Sequence, residues 1–192
     1  RPMNPLFVHD EALAGETVES KISRVMDAVE QADADALLIT ALDDIAWLLN
    51  VRGSDVAYTP VAIAFAFVSD SQRVLFVDEE KITDEVAAHL KQYDVKVKPY
   101  DDIEKFLGKL KDSLTVMVDP NRVSDALGQA MLCNKHYAPS PIIVLKGIKN
   151  DHQIAGFRKA MRYDGAAMVR MMMWLEQNVG NGITEVDVDL RL

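Results

Sequence analysis

The chain has 192 residues, 49% hydrophobic and 27% charged, with a formal net charge of −9. That length supports one sizeable domain with something left over, and the negative balance argues against a nucleic-acid partner, which needs clustered cations. The longest apolar run, Val61 to Val68, is far short of the ~20 residues of a membrane span, Arg1 to Pro5 holds no signal-peptide core, and the lone Cys133 excludes an internal disulfide, so a cytoplasmic protein with no membrane partner is expected.

Residues 1–14 carry two prolines near their start and no sustained period, and read as an arriving linker. Thr17 then caps a helical pattern with Val18, Ile22, Val25, Met26 and Val29 on one face. Ala36 to Thr40 is a short apolar strand, and Asp43-Asp44 opens a two-turn helix with Ile45, Trp47, Leu48 and Leu49 inward. Next comes a loop holding Arg52, Gly53, Ser54 and Asp55, closed by Pro60. Val61 to Val68 reads as a buried strand that turns at Asp70-Ser71 into an antiparallel partner over Arg73 to Asp78. An amphipathic helix over Lys81 to Tyr93, a half-exposed strand over Val95 to Pro99 and a helix capped by Asp101 follow. Thr115 to Asp119 is a further strand, Ser124 to Leu132 a short helix, and Pro141 to Lys146 a last strand. The fold class is therefore α/β, a mixed β-sheet flanked by helices.

After Gly147 the pattern changes to one long helix, 152–178, whose apolar residues Phe157, Met161, Met168, Met171, Met172, Met173 and Trp174 wrap more than one face. Gly180 and Gly182 end it, and a second helix starts at Thr184-Glu185 with only its first turns present. The chain is expected to be truncated there, and the uncovered helix 152–178 to favour a homodimer.

Catalytic signatures are missing: no CxxC, HExxH, GxSxG or glycine-rich phosphate loop occurs. His9, His89, His136 and His152 are scattered without carboxylates at ligand spacing, and Cys133 has no basic cluster to activate it. Adjacent carboxylates Asp43 and Asp44 point ~100° apart on a helix and suit its positive N-terminus, so they read as capping rather than as an acid/base pair or metal cradle. The loop from Arg52 to Asp55 is the residual candidate. A buried strand delivering a charged, glycine-containing loop is a common way to place groups beside a ligand, and an internal Arg52–Asp55 pair that fixes the loop's shape is the structural alternative.

Three segments resemble a known family. ALLITALDDIAWLLNVRGSDVAYTPV (36–61) resembles the signature of the second domain of three-domain Xaa-Pro aminopeptidases (aminopeptidase P). LAGETVESKISRV (13–25) resembles the approach to that domain, and PIIVLKGIKNDHQIAGFRKAMRYDGAAMVRMMMWLE (141–176) the crossing into the catalytic domain. Arg162-Tyr163-Asp164 departs from the family, which more often has Arg followed directly by Asp. The resemblance implies a creatinase/prolidase N-terminal domain of ribonuclease-H-like fold at 15–148, preceded by a linker (1–14) from a missing first domain. Residues 149–192 would be the first helices of a truncated pita-bread catalytic domain. It implies a parent enzyme that removes an N-terminal residue preceding proline, with two divalent metals, usually manganese, whose ligands lie beyond this chain. The chain itself is then expected to hold no catalytic or metal residue, to wall the cleft and to limit substrate size. Arg52 and Asp55 would be its cleft-facing residues, and peptides with proline in second position the parent's substrates. The alternative implied by the same fold is a non-catalytic pseudo-peptidase module that binds a partner protein.

Overall fold

The computed structural model describes residues 1–191; Leu192, the end of the expected 149–192 segment, lies outside the described residues. The chain divides into two units, Arg1–Ile148 and Lys149–Leu192.

The first unit contains strands β1 (Phe7–Val8), β2 (Ala36–Ile39), β3 (Val51–Arg52), β4 (Phe65–Ser69), β5 (Arg73–Phe76), β6 (Val95–Lys98), β7 (Thr115–Val118) and β8 (Asn134–Tyr137). Its helices are α1 (Glu11–Ala14), α2 (Val18–Glu30), α3 (Leu42–Leu48), α4 (Asp84–Gln92), α5 (Ile103–Leu107), α6 (Asp125–Ala130) and α7 (Pro141–Gly147). β2 is apolar at every position, so it needs cover on both faces, and it lies inside the sheet β6-β5-β4-β2-β7-β8. It pairs antiparallel with β4 and parallel with β7, which makes the sheet mixed. The β4–β5 hairpin is antiparallel, with Phe67 opposite Val74.

Strand alternation splits the core into two layers. Leu37 and Ile39 point to one side, where Val25 and Val29 of α2, Leu48 of α3, Leu90 of α4 and Ile142 of α7 cover them. Ala36 and Leu38 point to the other, toward Ile103 and Leu107 of α5 and Leu127 of α6. There Phe106 meets the rings of Phe67 and Phe76 edge-on, with centroids 5.1 Å away in each case. Helix starts follow the capping chemistry of their sequences: Thr17, Thr83 and Ser124 each accept a backbone N–H three residues on.

Four expectations are corrected. Pro141 to Lys146 is not a strand but the helix α7, with Pro141 in its first turn, where proline's missing N–H costs nothing. The last strand is instead β8, a polar edge strand parallel to β7. Residues 1–14 are not a free linker. Leu6 is buried, β1 pairs with β3, and the Arg1 guanidinium bridges Asp78 and Asp101 (2.9 Å each) while stacking on Tyr100. Asp101 is thereby occupied by Arg1, and α5 begins at Ile103 without a side-chain cap. The strand expected over Val61 to Val68 starts only at Phe65, because the residues before it close the loop.

The second unit consists of α8 (Asp151–Asn178) and α9 (Glu185–Arg191). Asn150 and Gln153 form a reciprocal capping box at the start of α8. No described residue of α8 is buried: Phe157, Met161, Met172 and Met173 are all more than half exposed. No helix of the described residues is long and apolar enough to cross a membrane.

Candidate functional site

The segment after β2 is organised by charge at both ends of α3. At its N-terminus, Asp43 and Asp44 lie in the first turn, where carboxylates complement the helix dipole, as the sequence suggests. They also hold the Lys146 ammonium, with Asp44 Oδ1 at 2.6 Å from Nζ and Asp43 also bonded to it. Arg122 approaches from the loop after β7, 3.5 Å from Asp44 and 3.6 Å from Asp119. Asp44 is wholly buried and Asp43 half exposed, so adjacent acids face different environments. Burial works against the charge on Lys146, but the hydrogen bonds to the two aspartates outweigh it and hold its proton above the ordinary lysine range.

The C-terminus of α3 collects basic side chains, as the helix dipole favours. Lys21 donates to Trp47 O (2.8 Å), Arg52 Nη1 to Ala46 O (2.6 Å), and His89 Nε2 lies 2.8 Å from Leu49 O. Asn50, in the left-handed region at φ 50°, follows the helix and accepts Lys21 Nζ on its side chain at 2.6 Å. Burial of Lys21, which is 1% exposed, pushes its pKa down to about 8. His9, half-buried, is also pushed down, first by burial and then by the charges of Arg52 and Lys21.

The loop after β3 is braced internally. Gly53 sits where its two legs meet: a Cβ there would lie 2.9 Å from Ala62 Cβ and 3.1 Å from Val61 O, so no larger residue fits without movement. Asp55 Oδ2 accepts from Ile63 N (2.7 Å) and from Lys81 Nζ (2.5 Å), and neither side chain of that pair has exposed surface. A bridge between Val56 and Thr59 makes a tight turn whose Tyr58 is fully exposed at φ 62°.

The two sequence candidates therefore part company. Arg52 and Asp55 do not pair, so the proposed internal clasp is absent; Asp55 is sealed against Lys81 and shapes the loop, while Arg52 keeps partial exposure. Lys21, Lys81, Arg122 and Lys146 escaped the sequence reading because each acts across at least 26 residues on a partner that no local spacing reveals, apart from the Arg122–Asp119 pair. Among the described residues, no three His, Cys, Asp or Glu side chains converge as metal ligands. Asp43 and Asp44 already hold the Lys146 ammonium where a metal cation would sit, so this pair does not fit a metal. Cys133 is buried, with its pKa raised by that burial.

Comparison with known proteins places this geometry. The family description "Creatinase/Prolidase N-terminal domain" matches residues 1–153. Similar curated proteins include the probable Xaa-Pro aminopeptidase P of Coprinopsis cinerea, 34% identical over 95% of this chain and 32% of its own length. That of Aspergillus niger is 37% identical over 97% of this chain and 32% of its own. The chain thus spans about a third of the length of these curated relatives. Among solved structures, the X-prolyl aminopeptidase of Caenorhabditis elegans, described as a cytosolic enzyme with a di-nuclear active site, superposes with a TM-score of 0.90. It is 30% identical over 97% of this chain and 32% of that one. The Xaa-Pro dipeptidase of Bacillus anthracis, at 16% identity and a TM-score of 0.68 over 91% of this chain and 47% of its own, shares the fold.

Proposed function

The chain belongs to the creatinase/prolidase N-terminal domain family, and on that premise we propose that it serves a cytoplasmic Xaa-Pro aminopeptidase as a non-catalytic domain. In this reading it walls the cleft of an enzyme that removes an N-terminal residue preceding proline, and limits the size of the peptide admitted. The observation that carries the reading is the similarity to proteins named Xaa-Pro aminopeptidase P over nearly the whole of this chain and about a third of theirs. The two divalent metals of the parent, manganese in this proposal, belong to another part of that enzyme, and no step on this chain passes through them.

What this chain supplies is a wall of fixed shape. The buried Asp55–Lys81 pair and the close approach at Gly53 brace the loop from Val51 to Ala64, and preorganised loops limit what fits beside them. Arg52 is the half-exposed cation of that loop and our candidate for meeting substrate. In the complete enzyme, Arg52→Ala is expected to raise KM or lower kcat for Xaa-Pro peptides by more than it alters thermal stability. A changed melting temperature with unchanged kinetics would reduce Arg52 to a helix-capping role and remove the loop from the cleft. The exposed apolar side of α8 further supports self-association of this chain, taken up below.

A further inference from the structure

Arg52 differs from the other arginines of the first unit. Arg1 pairs with Asp78 and Asp101, Arg24 with Glu16, Arg73 with Glu19, and Arg122 with Asp44 and Asp119. Arg52 meets no carboxylate among the described residues. Its Nη1 donates to the carbonyls of Ala46 and Val51, at 2.6 and 2.9 Å, while Nε and Nη2 make no hydrogen bond. Neither of these idle nitrogens is sealed from solvent, since the buried polar atoms without partners are Asp44 Oδ2, Asp55 Oδ1 and Ser140 Oγ. The guanidinium is therefore anchored at one corner, with its Nε–Nη2 edge unbonded.

The Nε–Nη2 edge presents two parallel N–H donors at the spacing of the two oxygens of a carboxylate. Its surroundings suit such a guest. Phe7 lies opposite Arg52 in the β1–β3 register and is 50% exposed. Burial lowers the affinity of Arg52 for its own proton with no acid nearby to restore it, a cost that a bound carboxylate would relieve. The crevice beside it, lined by Leu42, Ala46 and Ala62, measures about 10 Å³ and admits no ligand, so the guest must sit on the edge rather than in a pocket.

We propose that the Nε–Nη2 edge of Arg52, with Phe7 beside it, is a receptor for a carboxylate presented by a peptide C-terminus or by an acidic side chain. Only the choice of source rests on the cleft-wall reading; the receptor chemistry stands on this domain alone. An internal acidic side chain would make the site a docking point for another part of the enzyme, and a peptide C-terminus would make it a gauge of substrate length.

The test is an NMR titration of this chain that follows the arginine Nε–H signals, with Arg52 assigned by the signal lost in Arg52→Lys. Sodium acetate is expected to shift the Arg52 signal saturably and to leave Arg24 and Arg73 unmoved. Ala-Pro-Ala is expected to bind at least about tenfold more tightly than its C-terminal amide, roughly 1.4 kcal/mol for one charge-assisted pair. If acetate shifts the signal but acid and amide peptides bind alike, the receptor stands and its guest is an acidic side chain. If acetate leaves Arg52 unmoved, the proposal is wrong. No turnover is measured, so failure of the aminopeptidase reading would leave this result intact.

Discussion

Lys21 offers the sharpest quantitative test of how α3 is held. Its ammonium is buried at 1% exposure, donates to Trp47 O and Asn50 Oδ1, lies 4.9 Å from the Trp47 ring, and has no carboxylate in contact. In the unfolded chain it should titrate near 10.5, and in the folded chain near 8. Between those values the unfolded state binds more protons, so stability must rise with pH across that window. Below about pH 8 the folded state carries the full cost of a desolvated ammonium, on the order of 3 kcal/mol at ~1.4 kcal/mol per pKa unit; above 10.5 that cost is gone. Lys21→Met removes the charge but leaves Trp47 O and Asn50 Oδ1 without their donor, a loss of about 1–3 kcal/mol for each buried group. At pH 7 the two effects roughly cancel, so a single measurement there says little. The signature is the difference between wild type and variant in urea titrations followed by circular dichroism at pH 7, 8, 9 and 10. That difference should grow in favour of wild type as pH rises, approaching about 3 kcal/mol. A constant difference across the range would mean that Lys21 is not desolvated as its contacts indicate.

Other expectations concern the loop and the long helix. Asp55→Ala or Lys81→Met alone should cost about 3–5 kcal/mol, because each leaves the other charge buried, whereas Asp55→Leu with Lys81→Met together should recover much of that; urea midpoints decide, and single losses under about 1 kcal/mol would show that water reaches the pair. Gly53→Ala should destabilise by about 1–3 kcal/mol through its contact with Ala62, with crystallographic displacement of the Val61–Ala62 leg, and an unshifted loop of full stability would refute the close approach. Light scattering at rising concentration should show self-association of the chain that Phe157→Glu with Met161→Glu abolishes, and a constant monomeric mass would refute it. Lowering pH toward the carboxylate range should destabilise the fold at Asp43, Glu16 and Glu19. Against burial, Lys146 holds Asp43, Ser20 with Arg24 holds Glu16, and Arg73 holds Glu19 below the ordinary carboxylate value, so each contributes stability that is lost as pH falls through its folded pKa. Acid titration of Lys146→Met should lose the Asp43 share of that effect.

Much of the sheet was legible because its strands are short apolar runs between turn signals, and β2, β4, β5 and β7 are apolar at almost every position. The same property misled at Pro141 to Lys146, since the five-residue apolar run from Pro141 to Leu145 carries no period that tells strand from helix. The readable clue was Pro141 directly after Ser140, a helix-start pairing. β8 (Asn134–Tyr137) was invisible for the opposite reason. An edge strand pairs on one side only and can be polar, and what fastens this one includes Lys135 Nζ donating to Gly128 O and Met131 O. At the site, the sequence located the loop but not its chemistry. Asp55 and Lys81 are brought together only by the fold, and Lys21 falls beside the apolar stripe of α2 with nothing local to mark it as the cap of α3. Backbone pattern is encoded locally, whereas ion pairing between elements depends on topology that a single sequence does not display.

The central claim, that this chain is a non-catalytic cleft wall of an Xaa-Pro aminopeptidase, is tested most directly by one paired assay. Release of alanine from Ala-Pro-Ala with manganese is measured for the complete protein that carries this domain and for this chain alone. The complete protein is expected to cleave the bond before proline, and the chain alone to give no turnover above buffer. Turnover by the chain alone, or a complete protein inert toward every Xaa-Pro peptide, would contradict the account.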